Sequence, residues 1–296
     1  MQGVVIPISM VPGDSIIHRI NPLPKLAWAF GVLVISFATR NPLILSILFV
    51  VGVLLILAAQ VGSAFLKVAM ILFPISLTLI VLQSIAPAFP RPWTPIVSVG
   101  PFTIFQEGIY SGLSMVLRIF AMTTWAMLMI MTSHPSDIFT SLQRFGMPYV
   151  MNFILTMTLQ LLPILQNEFA VVLNAQKSRA MKGTGFGAIL PSMVPVFVGA
   201  IERVQQLSIS LESRAFGSSG HKTSYRKVRM TLWDILLMVF GIGFTGGMTY
   251  WIIVDKSLDW SKTLIFNPAF AIGLVVFAAV GFLTFVFIAL RKVLQA

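Results

Sequence analysis

The chain has 296 residues, of which 57% are hydrophobic and 10% charged, with a formal net charge of +11 and no cysteine. A soluble domain carries roughly 25% charged residues, so most of this surface is built to face lipid, and disulfides and thiolate metal sites are excluded. The positive excess fits the positive-inside rule and partner contacts better than nucleic acid, so no nucleic-acid partner is expected.

The opening "MQGVVIPISMVPGDS" has no basic n-region and no small-residue cleavage site, so no signal peptide is expected. A helix crossing about 30 Å of hydrocarbon needs about 20 mostly apolar residues. Leu26–Thr39 is apolar but short and is followed by Arg40-Asn41-Pro42. With Leu43–Val61 it is expected to form a tight hairpin of short spans. Val68–Ala86 is the third span. The proline-rich "APAFPRPWTPIVSVGP" that follows cannot be a helix interior and reads as a loop. Gly108–Met131 is the fourth span, and Leu232–Val254 and Pro268–Leu290 are the last two. The fold class expected is an all-α polytopic membrane protein with about six transmembrane helices. It divides into a four-span region (1–131), a coupling segment (132–230) and a two-span region (231–296).

Thr132–Met230 breaks the pattern. Met147–Leu162 reads as one helix of 16 residues ended by Pro163, and Ala188–Ala200 is interrupted by Pro191 and Pro195. From Gln166 to Met230 there are nine Lys/Arg but only three acids, Glu168, Glu202 and Glu212. That imbalance places the segment in the cytoplasm. Six spans then put both termini inside; if Met147–Leu162 spanned as well, that parity would break.

Within this segment "AQKSRAMKGTGF" and "LESRAFGSSG" carry the same triplet, Ser178-Arg179-Ala180 and Ser213-Arg214-Ala215. Glu168–Lys182 and Ala200–Phe216 lack proline and glycine and read as helices, capped by Gly183 and Gly217. Each arginine then lies in a last helical turn, where the partial negative charge of the helix end favours a cation with or without a partner. The duplication adds a second reading. A guanidinium framed by small residues suits insertion into a partner's groove, with five donors able to grip a carboxylate bidentately. Two such helix ends call for a two-lobed partner.

From about Asn21 to Ser218 the chain resembles the transmembrane T component of energy-coupling factor (ECF) transporters, also called the cobalt transport protein CbiQ family. "NPLPK" at Asn21–Lys25 is similar to the family's Asp-Pro-Arg-x-Lys opening, and "GLSMVLRI" at Gly112–Ile119 to its Gly-Leu…Arg span. "TSHPSDIFTSLQRFGMP" at Thr132–Pro148 resembles its Thr-x-Pro-x-Asp-Leu…Leu…Pro stretch, and the two triplets resemble its paired Ala-Arg-Gly signatures. Asn21, Leu23, Ala180 and Ala215 depart from those patterns. The resemblance implies a non-catalytic subunit of an ABC importer. Its two arginine motifs would dock into two ATP-binding cassette ATPase subunits, and its membrane helices would serve a separate substrate-capture (S) subunit for a vitamin or transition-metal ion. The expected location is the cell membrane, with the coupling segment cytoplasmic.

Other candidates are weaker. Arg118 lies about ten residues into the fourth span with no acid near mid-span. It is either an anchor to helix carbonyls or to the capture subunit, or a snorkelling arginine. Asp234 reads as an interfacial cap. His18, His134 and His221 have no ligand-like spacing, so no metal or other cofactor is expected. The glycines of "KGTGFG" lack the lysine of a P-loop, and "HKTSYRKVR" reads as a contact with anionic lipid heads. A self-contained channel or secondary transporter would want several ionisable residues within the spans, and a membrane enzyme would want clustered acids or histidines. Neither is visible in the sequence.

Overall fold

The computed structural model describes residues 13, 15–88, 94–99, 102–143, 146–178, 186–218 and 230–254. Its described residues fall into two compact units, Pro135–Val228 and the remainder of the chain.

The larger unit opens with a single turn, α1 (Ile16–Arg19), and two 17-residue helices, α2 (Pro22–Ala38) and α3 (Pro42–Ala58). Both 17-residue helices start in the same way. Asn21 and Asn41 accept the backbone N–H of Leu23 and Leu43 at 3.1 and 2.9 Å, with proline at the first helical position. Asparagine and aspartate are equivalent as N-caps, and proline lacks only a donor that would be unused there. Asn21 can therefore do the work of the aspartate in the motif it resembles. At 1.5 Å per residue each helix is about 25 Å long, short of the hydrocarbon thickness.

The next helix, α4, spans Gly62–Ile85 and so begins before the expected Val68. Lys67 does not delay it, because an exposed lysine near a helix end reaches outward along its own stem. The proline-rich segment is not loop throughout. β1 (Pro95–Val99) pairs antiparallel with β2 (Phe102–Phe105), with an irregularity between Pro95 and Val97. Thr94 fastens the base of the hairpin, its N–H and Oγ1 donating to Glu107 at 2.9 and 2.6 Å. Glu107 is in the first turn of α5 (Gln106–Thr132). Helices α4 and α5 approach closely at Gly108, where an added Cβ would stand 2.3 Å from the Gln83 carbonyl oxygen.

Helix α9 (Leu232–Val254) packs on α2. Trp28 of α2 stacks on Trp125 of α5 at 5.8 Å and lies against Phe240 and Phe244 of α9. Val32, Ile35, Leu48, Ile56, Phe65, Ala121 and Leu128 form the core between α2, α3, α4 and α5. The expected span Pro268–Leu290 lies outside the described residues.

The smaller unit holds α6 (Pro135–Gln143), α7 (Tyr149–Ser178) and α8 (Phe186–Ser213). Pro163 does not end a helix; it lies inside the 30-residue α7. Likewise Pro191 and Pro195 lie inside the 28-residue α8. A proline removes one backbone bond and crowds the preceding turn, and here long apolar pairing of the two helices outweighs that loss. Four described helices are long and apolar enough to cross a membrane: α4, α5, α7 and α9. The protein is an all-α polytopic membrane protein.

Candidate docking site

Helices α7 and α8 form an antiparallel hairpin. Glu168 of α7 accepts a charged hydrogen bond from Arg203 of α8, so one of the segment's nine cations is already matched. Leu162, Leu165 and Phe169 face Met193, Val196 and Phe197 across a cleft of about 310 Å³. At one end of the pair, Phe216 packs on Phe153 and Tyr149, with ring centroids 4.6 and 5.8 Å apart. Ser178 closes α7 at the other end, roughly 40 Å along the helix at 1.5 Å per residue.

The second triplet is built around a helix stop. Ser213 is the last residue of α8. The Phe216 N–H donates to the Leu211 carbonyl at 2.9 Å and the Ala215 N–H to the Glu212 carbonyl at 2.9 Å. These two bonds make a Schellman cap, whose C′ residue must take positive φ. That residue is Ala215, at φ 55°; Gly217, at φ 92°, comes two residues after it. The expected cap at Gly217 is therefore corrected. The glycine that is common at position 215 in the motif it resembles answers a backbone need, beyond small size. Arg214 follows directly on the helix end and is exposed. The Ser213 hydroxyl donates back to the Ser210 carbonyl at 2.9 Å, leaving a slim neck beside the arginine.

The first triplet is described only at Ser178, an exposed residue whose hydroxyl donates to the Asn174 carbonyl at 3.0 Å. Arg179 and Ala180 lie outside the described residues, as does Gly183. Ser178 and the second triplet are thus not brought together; they mark opposite ends of one hairpin. Phe216 escaped the sequence reading, although an apolar residue just past a helix end is the usual companion of this cap.

In the larger unit, Arg118 donates through Nη2 to the Thr39 carbonyl at 2.8 Å. Thr39 is the C-cap of α2, so the arginine satisfies the open carbonyl end of a short helix. Among the described residues no group of three histidines, cysteines or acids could hold a metal ion.

The profile of the CbiQ family, described as cobalt transport protein, matches residues 13–225. An energy-coupling factor transporter transmembrane protein EcfT from Bacillus selenitireducens is 28% identical over 249 residues, covering 78% of this chain and 91% of the relative. The protein of that name from Listeria innocua is 26% identical over 257 residues, covering 82% and 96%. That from Leuconostoc gelidum is 28% identical over 251 residues, covering 79% and 92%. The chain belongs to the CbiQ family, the transmembrane T components of energy-coupling factor transporters.

Proposed function

We propose that this chain is the subunit that passes work from ATP hydrolysis to substrate uptake, and that it hydrolyses no ATP itself. In this reading residues 132–230 are a cytoplasmic coupling module between two membrane regions, 1–131 and 231–296, and α7, though long and apolar enough to cross, lies within that module rather than across the bilayer. Arg179 and Arg214 dock into grooves on two ATP-binding cassette subunits, each guanidinium held by a carboxylate and by the small residues Ser178, Ala180, Ser213 and Ala215. Nucleotide closure of the ATPase pair moves the two helix ends relative to each other. The hairpin then tilts or releases a separate membrane subunit that captures a vitamin or a transition-metal ion.

One observation carries the reading: an exposed arginine follows directly on a capped helix end, and its twin triplet begins at the far end of the same stiff hairpin. A spacing of roughly 40 Å suits two separate sockets better than one. The relatives' printed names, transmembrane proteins of energy-coupling factor transporters, support the same conclusion. The test is substitution of both arginines. Arg179→Ala or Arg214→Ala alone is expected to weaken copurification of the ATPases. The double variant should abolish uptake while the protein remains folded in the membrane. A double variant that still copurifies with its ATPases and transports normally overturns the docking claim.

A further inference from the structure

Two ionisable side chains are buried at one end of the larger unit. Lys25 is 8% exposed and Asp234 7%. In a chain with so few charges, burying two of them is costly unless they are partnered, and an intramembrane ionisable residue marks function by default. Both are partnered, and their partners belong to three helices.

Lys25, in the first turns of α2, donates through Nζ to the Thr132 carbonyl at 3.1 Å and to the Ser133 hydroxyl at 3.2 Å. Thr132 is the last residue of α5 and Ser133 its C-cap, so the ammonium stands at the negative end of a 27-residue helix. Asp234, in the first turn of α9, accepts the N–H of Thr231 just before the helix at 2.9 Å. Its other oxygen accepts the Asn21 N–H, 213 residues away in sequence, at 3.3 Å. Asn21 in turn caps α2, so the Asp234 contact and the Lys25 contacts both converge on the first turns of that helix. The start of α2, the end of α5 and the start of α9 are therefore held by one polar network.

The positions of these residues along the chain give the network its meaning. Ser133 stands two residues before the smaller unit begins at Pro135, and Thr231 two residues after the larger unit resumes at Arg229. Within the larger unit, residues a few positions from each of these two boundaries in the sequence are thus tied to the first turns of α2. Beside the network lies an apolar cleft of about 430 Å³, lined among others by Lys25, Trp28, Leu48, Trp125 and Phe244. The polar bonds at the helix ends thus act beside the aromatic packing of Trp28 on Trp125, Phe240 and Phe244.

We propose that Asn21, Lys25, Thr132, Ser133 and Asp234 form a coupling latch, with Lys25 and Asp234 as positioning residues that carry displacement of the 135–228 unit into α2, α5 and α9. The latch rests on the coupling function proposed above and adds the route by which motion enters the membrane helices. A merely structural cap would leave that motion intact once the protein has folded.

The test uses the complex with its copurified ATPases in lipid nanodiscs. Spin labels go on cysteines at Phe30→Cys in α2 and Val239→Cys in α9, both exposed positions, and the chain has no other cysteine. Distances are measured without nucleotide and with ATP and vanadate. In the labelled parent the distance distribution should shift with nucleotide. Lys25→Met and Asp234→Asn should each abolish that shift while ATPase binding and hydrolysis persist. The double variant should be no worse than either single one, because the pair acts as a unit. Ser133→Ala, which leaves the Thr132 carbonyl in place, should reduce the shift without unfolding the protein. A shift retained in both single variants overturns the latch and leaves the docking reading standing. Loss of ATPase binding in them reassigns these residues to docking and also overturns it. A parent that copurifies with no ATPases, or shows no shift, overturns the coupling reading on which the latch rests.

Discussion

The two units solve opposite problems with the same apolar alphabet. In the larger one, α5 buries 13 of its residues, among them Gly108, Ser111, Gly112, Ser114 and Thr124. Small residues let the helices touch closely, which is how helices associate where lipid already satisfies apolar surface. In the smaller one, α7 buries no residue at all. Val150, Met151, Ile154 and Val171 of α7, and Val194, Phe197, Ile201 and Ile209 of α8, remain largely exposed. In the first unit α5 is a packed centre, around which α2, α3, α4 and α9 still turn apolar side chains outward; the hairpin has no such centre. A scaffold that must hold its shape needs internal contacts; a lever that must engage others needs external ones.

The sharpest way to break this contrast is to place the same substitution in both units. Gly108→Val drives a side chain into the Gln83 carbonyl and the Ser84 backbone. It should cost about 3 kcal/mol or more, read as a large fall in melting temperature in detergent. Gly199→Val on α8 meets nothing within 4 Å and should change stability by less than about 0.5 kcal/mol. Equal losses at the two sites would contradict the contrast.

The next effect is Arg118→Met, which leaves the Thr39 carbonyl without its donor. A cost of about 2 kcal/mol is expected in the same melt. Phe216→Ala comes third. Loss of its contacts with Phe153 and Tyr149 should cost about 1–2 kcal/mol, felt as faster amide exchange at the end of α8 and weaker ATPase association. The smallest effect is a gain. Ala215→Gly relieves an alanine held at positive φ and should stabilise the helix stop by about 0.5 kcal/mol, once the extra freedom of glycine in the unfolded chain is subtracted.

Much of this architecture could be read from local sequence. The apolar runs located α2, α3, α5 and α9 to within about four residues at either end, and the Asn-Pro pairs at positions 21 and 41 are the helix starts they look like. The errors have a common physical source. Pro163, Pro191 and Pro195 read as breaks because a local rule knows nothing of the partner helix that carries the segment through them. The β-hairpin after Thr94 was hidden by its prolines. Asp234 was legible as a cap, and it is one, but its second bond to Asn21 joins residues far apart in the sequence. Lys25 stood out as the end of the Asn21–Lys25 motif, and it is buried on the end of α5. The triplets were visible as a repeat. That position 215 demands positive φ could be learned only from the backbone.

The central claim is that the two triplets meet ATPase subunits from opposite ends of one hairpin. Because the chain has no cysteine, Ser178→Cys and Ser213→Cys can each carry a photoreactive cross-linker in the assembled transporter. Each position is expected to cross-link to an ATPase subunit, and the doubly labelled chain to two subunits in one particle. Cross-links from neither position, or labelling of either cysteine by an impermeant reagent added outside intact cells, would contradict the account.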